Sequence, residues 1–431
     1  MSPPDSAAIA GNRWDLLDAR RPDPPPMVSV IVAHYRQPRQ LARTLRALER
    51  QDHPRERLQI IVADDGSPDF PHVPEGVQVV RQDDAGFRLA AVRNLGAAAA
   101  TGEVLVFLDA DTSPEPQFVR ELVRLPALAP DCITVGRRRH ARLDRLQSTD
   151  EIERAAPDHE LPEPDWLKHA YRATRNLLDA DDRSYRYVIG AVLACSRSFF
   201  DEVGGFDESF TTYGGEDWEW AYRAWVGGAM LAHVPSAIAW HDGPDAAGRT
   251  VAERGQKNAE AIRLSELIPI GGSRPHGLRP TKVDIAVTGP PPPATDAQIF
   301  VSTDSVLAAI PGAEAIDREE YRTPDGRKSL DRVRLRVEIL RPLIVAGGEL
   351  AAAAATVGDE QLGELIIVDS AGRDLIRVVS TRAEARRRRW GRHDLFPTVR
   401  KECRAVTALP TDTDLDVEGY LGGWGLTEVH G

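Results

Sequence analysis

The chain has little of what staples small secreted proteins: three cysteines in 431 residues, Cys132, Cys195 and Cys403, far apart and without metal-ligand spacing. A disulfide scaffold and a cysteine-based metal site are both excluded, and the thiols are expected to stay reduced. No apolar run approaches the length needed to cross a bilayer, so no integral membrane segment is expected. The N-terminus is polar and proline-rich rather than shaped like a secretory signal, which points to the cytoplasm. Positive charge is also lacking: the formal net charge of -12 argues against a general nucleic-acid binder. What is present is 42% hydrophobic content in a chain too long for one ordinary core, and two domains are therefore expected.

The most informative stretch runs from Gly102 to Asp111, Gly-Glu-Val-Leu-Val-Phe-Leu-Asp-Ala-Asp. Its apolar run is too short for a typical helix, lies between Gly102 and Pro114, and reads as a buried parallel strand. It ends in two carboxylates, Asp109 and Asp111, at the strand end where open α/β sheets bind ligands. Two acids there repel unless a cation joins them, and hard oxygen ligands suit Mg2+ or Mn2+ already partly coordinated by phosphate. The alternative is that they cap the strand and open the turn at Pro114.

Residues 1–26 end in a proline cluster and are expected to form a loose leader. A β-branched run at 27–33 then reads as a strand, and Pro38 opens a helix with Leu41, Leu45 and Leu48 on one face. A second buried strand at 58–63 stops at the turn Asp64-Asp65-Gly66-Ser67-Pro68. A shorter strand near 77–80, an alanine-rich helix over 89–100 and the strand leading to Asp109 complete a β-α-β-β-α-β order. This order predicts an α/β fold with a largely parallel sheet covered by helices. Residues 137–186 are highly charged and read as a helical insertion beside the site. A strand at 187–194, a turn at Gly204-Gly205-Phe206-Asp207-Glu208 and a helix from Gly214-Gly215-Glu216-Asp217 follow. The first domain should close near Gly272, with a linker over 273–295. Beyond it, an accessory region over 296–431 has strand-like segments at 297–301, 333–339 and 362–368, and the arginine run 386–389 reads as a solvated helix face. Residues 363–370 faintly echo 102–109, which would make this region a degenerate half-copy of the first domain; chance explains so short a match equally well.

Taken together, Val28 to Tyr35, Asp64-Asp65-Gly66-Ser67, Arg93-Asn94-Leu95-Gly96, Leu108-Asp109-Ala110-Asp111, the Gly204 motif and the Gly214 motif resemble glycosyltransferase family 2, which has the GT-A fold. The resemblance covers roughly residues 27–245. Its closing part, Gly214 through His241, is similar to galactosyl- and N-acetylgalactosaminyltransferases and bacterial glycan polymerases. It implies a metal-dependent, inverting transfer of a sugar from a nucleotide diphosphate donor, most simply a UDP-sugar, to an acceptor hydroxyl. Ala33, Tyr35, Asp65, Arg93, Asp109, Gly214 and Gly215 would bind the nucleotide sugar, Asp65 by accepting hydrogen bonds from uracil or ribose. Asp109, Asp111 and His241 would hold Mn2+ or Mg2+. Asp217 is the matched base for the acceptor hydroxyl, with Glu216 beside it to bind sugar or acceptor. A helix N-terminus would keep both ionised. The glycines would let the backbone pass close to the donor sugar, while Trp218, Trp220 and Trp225 stack on sugars or fill the core.

The chain departs from the family at Gly190-Ala191-Val192-Leu193-Ala194, where an asparagine is common. One rival is a sugar nucleotidyltransferase, disfavoured because residues 33–38 lack a Gly-rich basic loop. Another is a non-catalytic nucleotide-sugar-binding scaffold. The acceptor, whether glycan, lipid-linked or small molecule, is left open by the variable loops that build acceptor pockets. Oligomer contacts through the C-terminal region are left open as well.

Overall fold

The computed structural model describes residues 7–147, 149–244, 251–278, 281–317, 332–410 and 415–422. The chain divides into two compact units, Met1–Trp225 with Ala229–Leu264, and Val226–Gly228 with Ser265–Gly431. In the first unit, strand β1 (Val28–His34) is buried along its whole length, as a β-branched run between two covered sheet faces must be. It pairs in parallel with β2 (Leu58–Asp64) and β4 (Val104–Asp109), and β2 pairs in parallel with β3 (Gln78–Arg81). Helix α1 (Pro38–Glu49) starts on its proline and buries Leu41, Leu45 and Leu48; α2 (Leu89–Ala98) buries Ala90, Val92 and Arg93.

Past β4 the sheet turns mixed. Strand β8 (Val192–Ser196) runs antiparallel to β4 and to β6 (Cys132–Ala141), and β6 runs parallel to β9 (Met230–Asp242). The edge strand β5 (Thr112–Pro114) is antiparallel to β9 and sets Thr112 opposite His241. The short β7 (Glu160–Leu161) pairs with β6 off this path. Strands β1, β2 and β4 end together at His34, Asp64 and Asp109. The charged stretch 137–186 is less helical than expected: β6 occupies its start, and among the described residues only α4 (Ile152–Ala155), α5 (Asp165–Ala173) and two single-turn helices follow. The strand expected at 187–194 begins at Val192, because Ser184–Tyr187 winds into a single turn of helix.

The leader is a correction. Between residues 7 and 17 it is anchored: Ile9 and Leu17 are buried against Leu125, Leu128 and Met230, while 18–21 stay exposed. Asn12 donates to the carbonyls of Leu177 (2.6 Å) and Leu231 (3.0 Å), and accepts from the Leu231 amide at 2.9 Å. These bonds clamp an unusual turn in which Arg175, Asn176 and Leu177 have φ of 50°, 57° and 68°. Left-handed backbone costs a side-chain-bearing residue about 1–2 kcal/mol, so such a run persists only where its surroundings hold it. Asn12→Ala is therefore expected to destabilise the first unit by about 3 kcal/mol, because buried carbonyls and an amide lose their partner. Calorimetric melting of the first unit checks this, and an unchanged transition would contradict it.

The second unit has its own core of Val337, Ile339, Leu350, Val357, Leu365, Ile367 and Val378. Its six-stranded sheet contains Ala313–Ala315, Ile285–Thr288, Leu335–Ile339, Asp374–Ser380, Glu364–Val368 and Thr398–Glu402 in that spatial order. Three expectations change here. Residues 285–288, read as linker, form an interior strand. Residues 297–301, read as a strand, lie in helix Asp296–Ala309, which a Thr295/Gln298 capping box opens. Arg386, read as solvated, is fully buried on helix Thr381–Trp390, with its guanidinium 5.7 Å from the Phe396 ring centre. Among the described residues no helix is long and apolar enough to cross a membrane.

Candidate active site

At the end of β2 the two adjacent acids differ in use. Asp64 is fully buried; it accepts from the Ser67 hydroxyl (2.5 Å) and amide (3.0 Å) and pairs with His34 Nδ1 at 2.8 Å. It builds the turn, the ordinary use of an aspartate before Gly-Ser. Asp65 faces the other way and accepts from Gln82 at 2.5 Å and the Arg88 amide at 3.0 Å. Each carboxylate oxygen has a second lone pair left for a ligand. Ala33 sits opposite Asp109 in the sheet, and its carbonyl accepts from the Ala110 amide at 2.9 Å. The exposed Tyr35 donates its hydroxyl to Asp84 at 3.1 Å.

Arg93 is the hub. Only 2% exposed, its guanidinium donates to Asp109 and to Glu216, both at 2.8 Å. Burial opposes its charge, but Asp109 and Glu216 outweigh burial and hold it above the usual arginine range. On helix α7 (Glu216–Val226), burial and then the neighbouring Asp217 push Glu216 up to about 7, with Arg93 opposing them. Its second carboxylate oxygen is buried with no hydrogen-bond partner among the described residues. Asp217 accepts from the amides of Gly190 (2.9 Å) and Trp218 (2.8 Å). Burial raises it too, against the pull of those amides. The expectation that the helix N-terminus keeps both acids ionised at neutral pH is thus corrected for Glu216, where desolvation exceeds the helix dipole.

Asp111 accepts from the Gln37 amide at 3.0 Å, and His241 Nε2 lies 3.9 Å from it. Burial, then the neighbouring Asp109, raise Asp111; His241 and Gln37 oppose this. The other ring nitrogen of His241 faces the Gly243 carbonyl at 3.2 Å. A carbonyl only accepts, so Nδ1 donates to it, and Nε2 is the ring nitrogen on the Asp111 side, the one available to a metal. The expected trio of Asp109, Asp111 and His241 is not fully assembled: among the described residues no three His, Cys, Asp or Glu side chains gather as a cage. Asp109 is turned to Arg93 instead, because a buried guanidinium needs its anion.

Gly214 and Gly215 have φ of +94° and +97°, and a Cβ on Gly214 would lie 2.6 Å from the Glu260 carboxylate. The positive φ at both positions is what favours glycine there. Trp220 and Trp225 are buried core, whereas Trp218 is half-buried beside Lys257 and Trp166.

The family description "Glycosyl transferase family 2" matches residues 29–204, and "N-terminal domain of galactosyltransferase" matches residues 177–239. Residues 29–204 are thus similar to family 2 glycosyltransferases. Its curated relatives include a chondroitin synthase of Escherichia coli, 28% identical over 267 residues, covering 56% of this chain and 38% of the relative. A validoxylamine A glucosyltransferase of Streptomyces hygroscopicus subsp. jinggangensis is 30% identical over 220 residues, covering 46% of this chain and 51% of the relative. The chain thus spans about half or less of the length of these relatives. Among solved structures, a mannosyltransferase from Pyrobaculum calidifontis in complex with GDP-Man and Mn2+ aligns over 59% of this chain and 66% of that one, at 20% identity and a TM-score of 0.39.

Several groups of the glycosyltransferase domain escaped the sequence reading. Gln37 steadies Asp111, Gln82 steadies Asp65, and the Gly190 amide holds Asp217. The last stands just before β8, where a backbone amide is the donor. Sequence carries no signal for a backbone contact, nor for amide side chains placed by a fold.

Proposed function

We propose that this domain transfers a sugar, with inversion, from a UDP-sugar to an acceptor hydroxyl, aided by Mn2+ or Mg2+. The observation that carries the reading is the meeting of Asp109, Glu216 and Asp217 around Arg93, beside Asp111 and His241, at the ends of neighbouring strands. Acids crowded enough to raise one another are what a divalent cation would relieve. The residues fit an ion: Asp111 and His241 Nε2 would hold it, with the second oxygen of Asp109 in reserve. Bound there, the ion would offset charge developing on the departing diphosphate.

The protein's own groups supply the rest. Asp65 takes donors from the nucleoside. Asp217, held by two amides, accepts the acceptor's hydroxyl proton as the oxygen attacks the anomeric carbon. Glu216, shared with Arg93, meets sugar or acceptor hydroxyls with its unpartnered oxygen. In one displacement the new glycosidic bond forms as the bond to the diphosphate breaks. Glycan, lipid-linked and small-molecule acceptors all suit this chemistry, and the relatives' names include a polymer synthase and a small-molecule glucosyltransferase.

The test is UDP release from a panel of UDP-sugars with Mn2+, Mg2+ or chelator. Metal-dependent release is expected, with His241→Ala raising the Mn2+ needed for half-maximal rate by about tenfold or more. Release that is indifferent to chelator, or absent with every UDP-sugar, would overturn the reading.

A further inference from the structure

Away from the acid cluster, the first unit holds a cavity of about 450 Å3 between α5 and the adjoining stretches of β6 and β9. Its wall is cationic, with Arg137, Arg138, Lys168, Arg172 and Arg175 set against the carboxylate of Glu163. Arg137 is matched by Glu163, 3.2 Å from its Nε, and Arg175 by Asp179 through two bonds of 2.6 Å. Lys168 has only a 3.8 Å approach to the fully exposed Asp165, and Arg172 has no acidic partner among the described residues. Two cations therefore face the cavity with their charge little used.

The cavity also holds an orphaned acceptor. His233 is 6% exposed, its ring lies flat on Tyr171 at 3.6 Å, and its Nε2 is buried with no partner among the described residues. The other ring nitrogen lies 2.9 Å from the side-chain oxygen of Asn176 and so carries the proton. Nε2 is left as a bare lone pair that asks for a hydroxyl donor. Burial and then Arg137 push this imidazole down to about 3, so it stays neutral wherever the protein is folded and active. Asn176 is itself the middle of the left-handed run 175–177, so backbone strain is maintained at the point that orients His233. Arg138 lines this cavity, and its charge is also felt at Asp111.

A simple anion would satisfy the cations and leave His233 unpaired; a neutral sugar would do the reverse. A ligand carrying a carboxylate and a hydroxyl on one ring answers both. We propose that the cavity is an acceptor subsite for a carboxylate-bearing sugar, its carboxylate held by Lys168 and Arg172 and a hydroxyl donated to His233 Nε2. This rests on the glycosyltransferase reading above and names the class of acceptor.

Calorimetric titration of the full chain with a glucuronate-bearing disaccharide and with its carboxyl-reduced counterpart tests it. The acidic ligand is expected to bind about tenfold or more tightly, and the Lys168→Ala/Arg172→Ala double variant to lose that preference. Both side chains are exposed on α5, and an unchanged melting temperature shows that the variant folds. The 15N resonance of His233 Nε2 should shift on binding the acidic ligand. Equal binding of the two disaccharides, or a preference that survives the double variant, would overturn the proposal. Inorganic phosphate competing as well as the disaccharide would overturn the sugar assignment. UDP release by the unaltered chain without acceptor reads the earlier proposal separately: its presence without acid preference removes only the subsite.

Discussion

Asp217→Asn is expected to lower sugar transfer about a thousandfold while leaving UDP-sugar affinity within about threefold, since a positioned general base contributes roughly 10²–10⁴ in rate. The substitution keeps the shape but removes the only function the mechanism asks of this side chain, acceptance of a proton. It also spoils one of the two amide contacts, because an asparagine cannot accept from both Gly190 and Trp218 with the nitrogen end of its amide. The pH profile gives an independent check. Burial raises Asp217 above the ordinary aspartate range, so the ionised base is lost at a higher pH than an exposed aspartate would allow. The rate should fall on the acid side earlier than for an exposed carboxylate, and this limb should vanish from the residual activity of the variant. Equal loss of donor binding and turnover would place Asp217 in the donor site instead.

Much of this architecture is legible from one sequence because β1, β2 and β4 are continuous apolar runs, and α1 buries its apolar stripe as its spacing requires. The acids stand out because each interrupts such a run or opens a helix. What escaped notice depends on partners remote in sequence. Asn12 looks like any polar residue in a proline-rich leader, yet its bonds reach across 165 and 219 residues. Helix Asp296–Ala309 was hidden by the apolar run Ile299-Phe300-Val301, which outweighed the short-range cap of Thr295 and Gln298. Arg386 illustrates the same limit: in a run of arginines, only packing decides which one is buried.

Arg93 joins these threads, and Arg93→Gln should be the most disruptive single change in the site. It sits between Asp109 and Glu216 with almost no solvent access, so its removal leaves the buried Glu216 and the half-buried Asp109 without a counter-charge. Breaking a buried pair from one side typically costs about 3–5 kcal/mol. The pH dependence has a definite sign. Glu216 is already raised to about 7 from 4.5. A raised group contributes stability that is fully present below the unfolded pKa and is lost as pH climbs through the folded value. Without Arg93 the folded value moves higher still, so in the variant that loss continues above pH 7, where the natural chain has already levelled off. The difference in urea midpoint between the two should therefore be smaller near pH 5, where Glu216 is protonated and an arginine has one anion fewer to balance, and largest near pH 9. A constant difference would mean that Arg93 acts by packing alone. Donor turnover should fall with stability restored at low temperature, since Asp109 and Glu216 then lose the guanidinium that orients both carboxylates toward the same ligand.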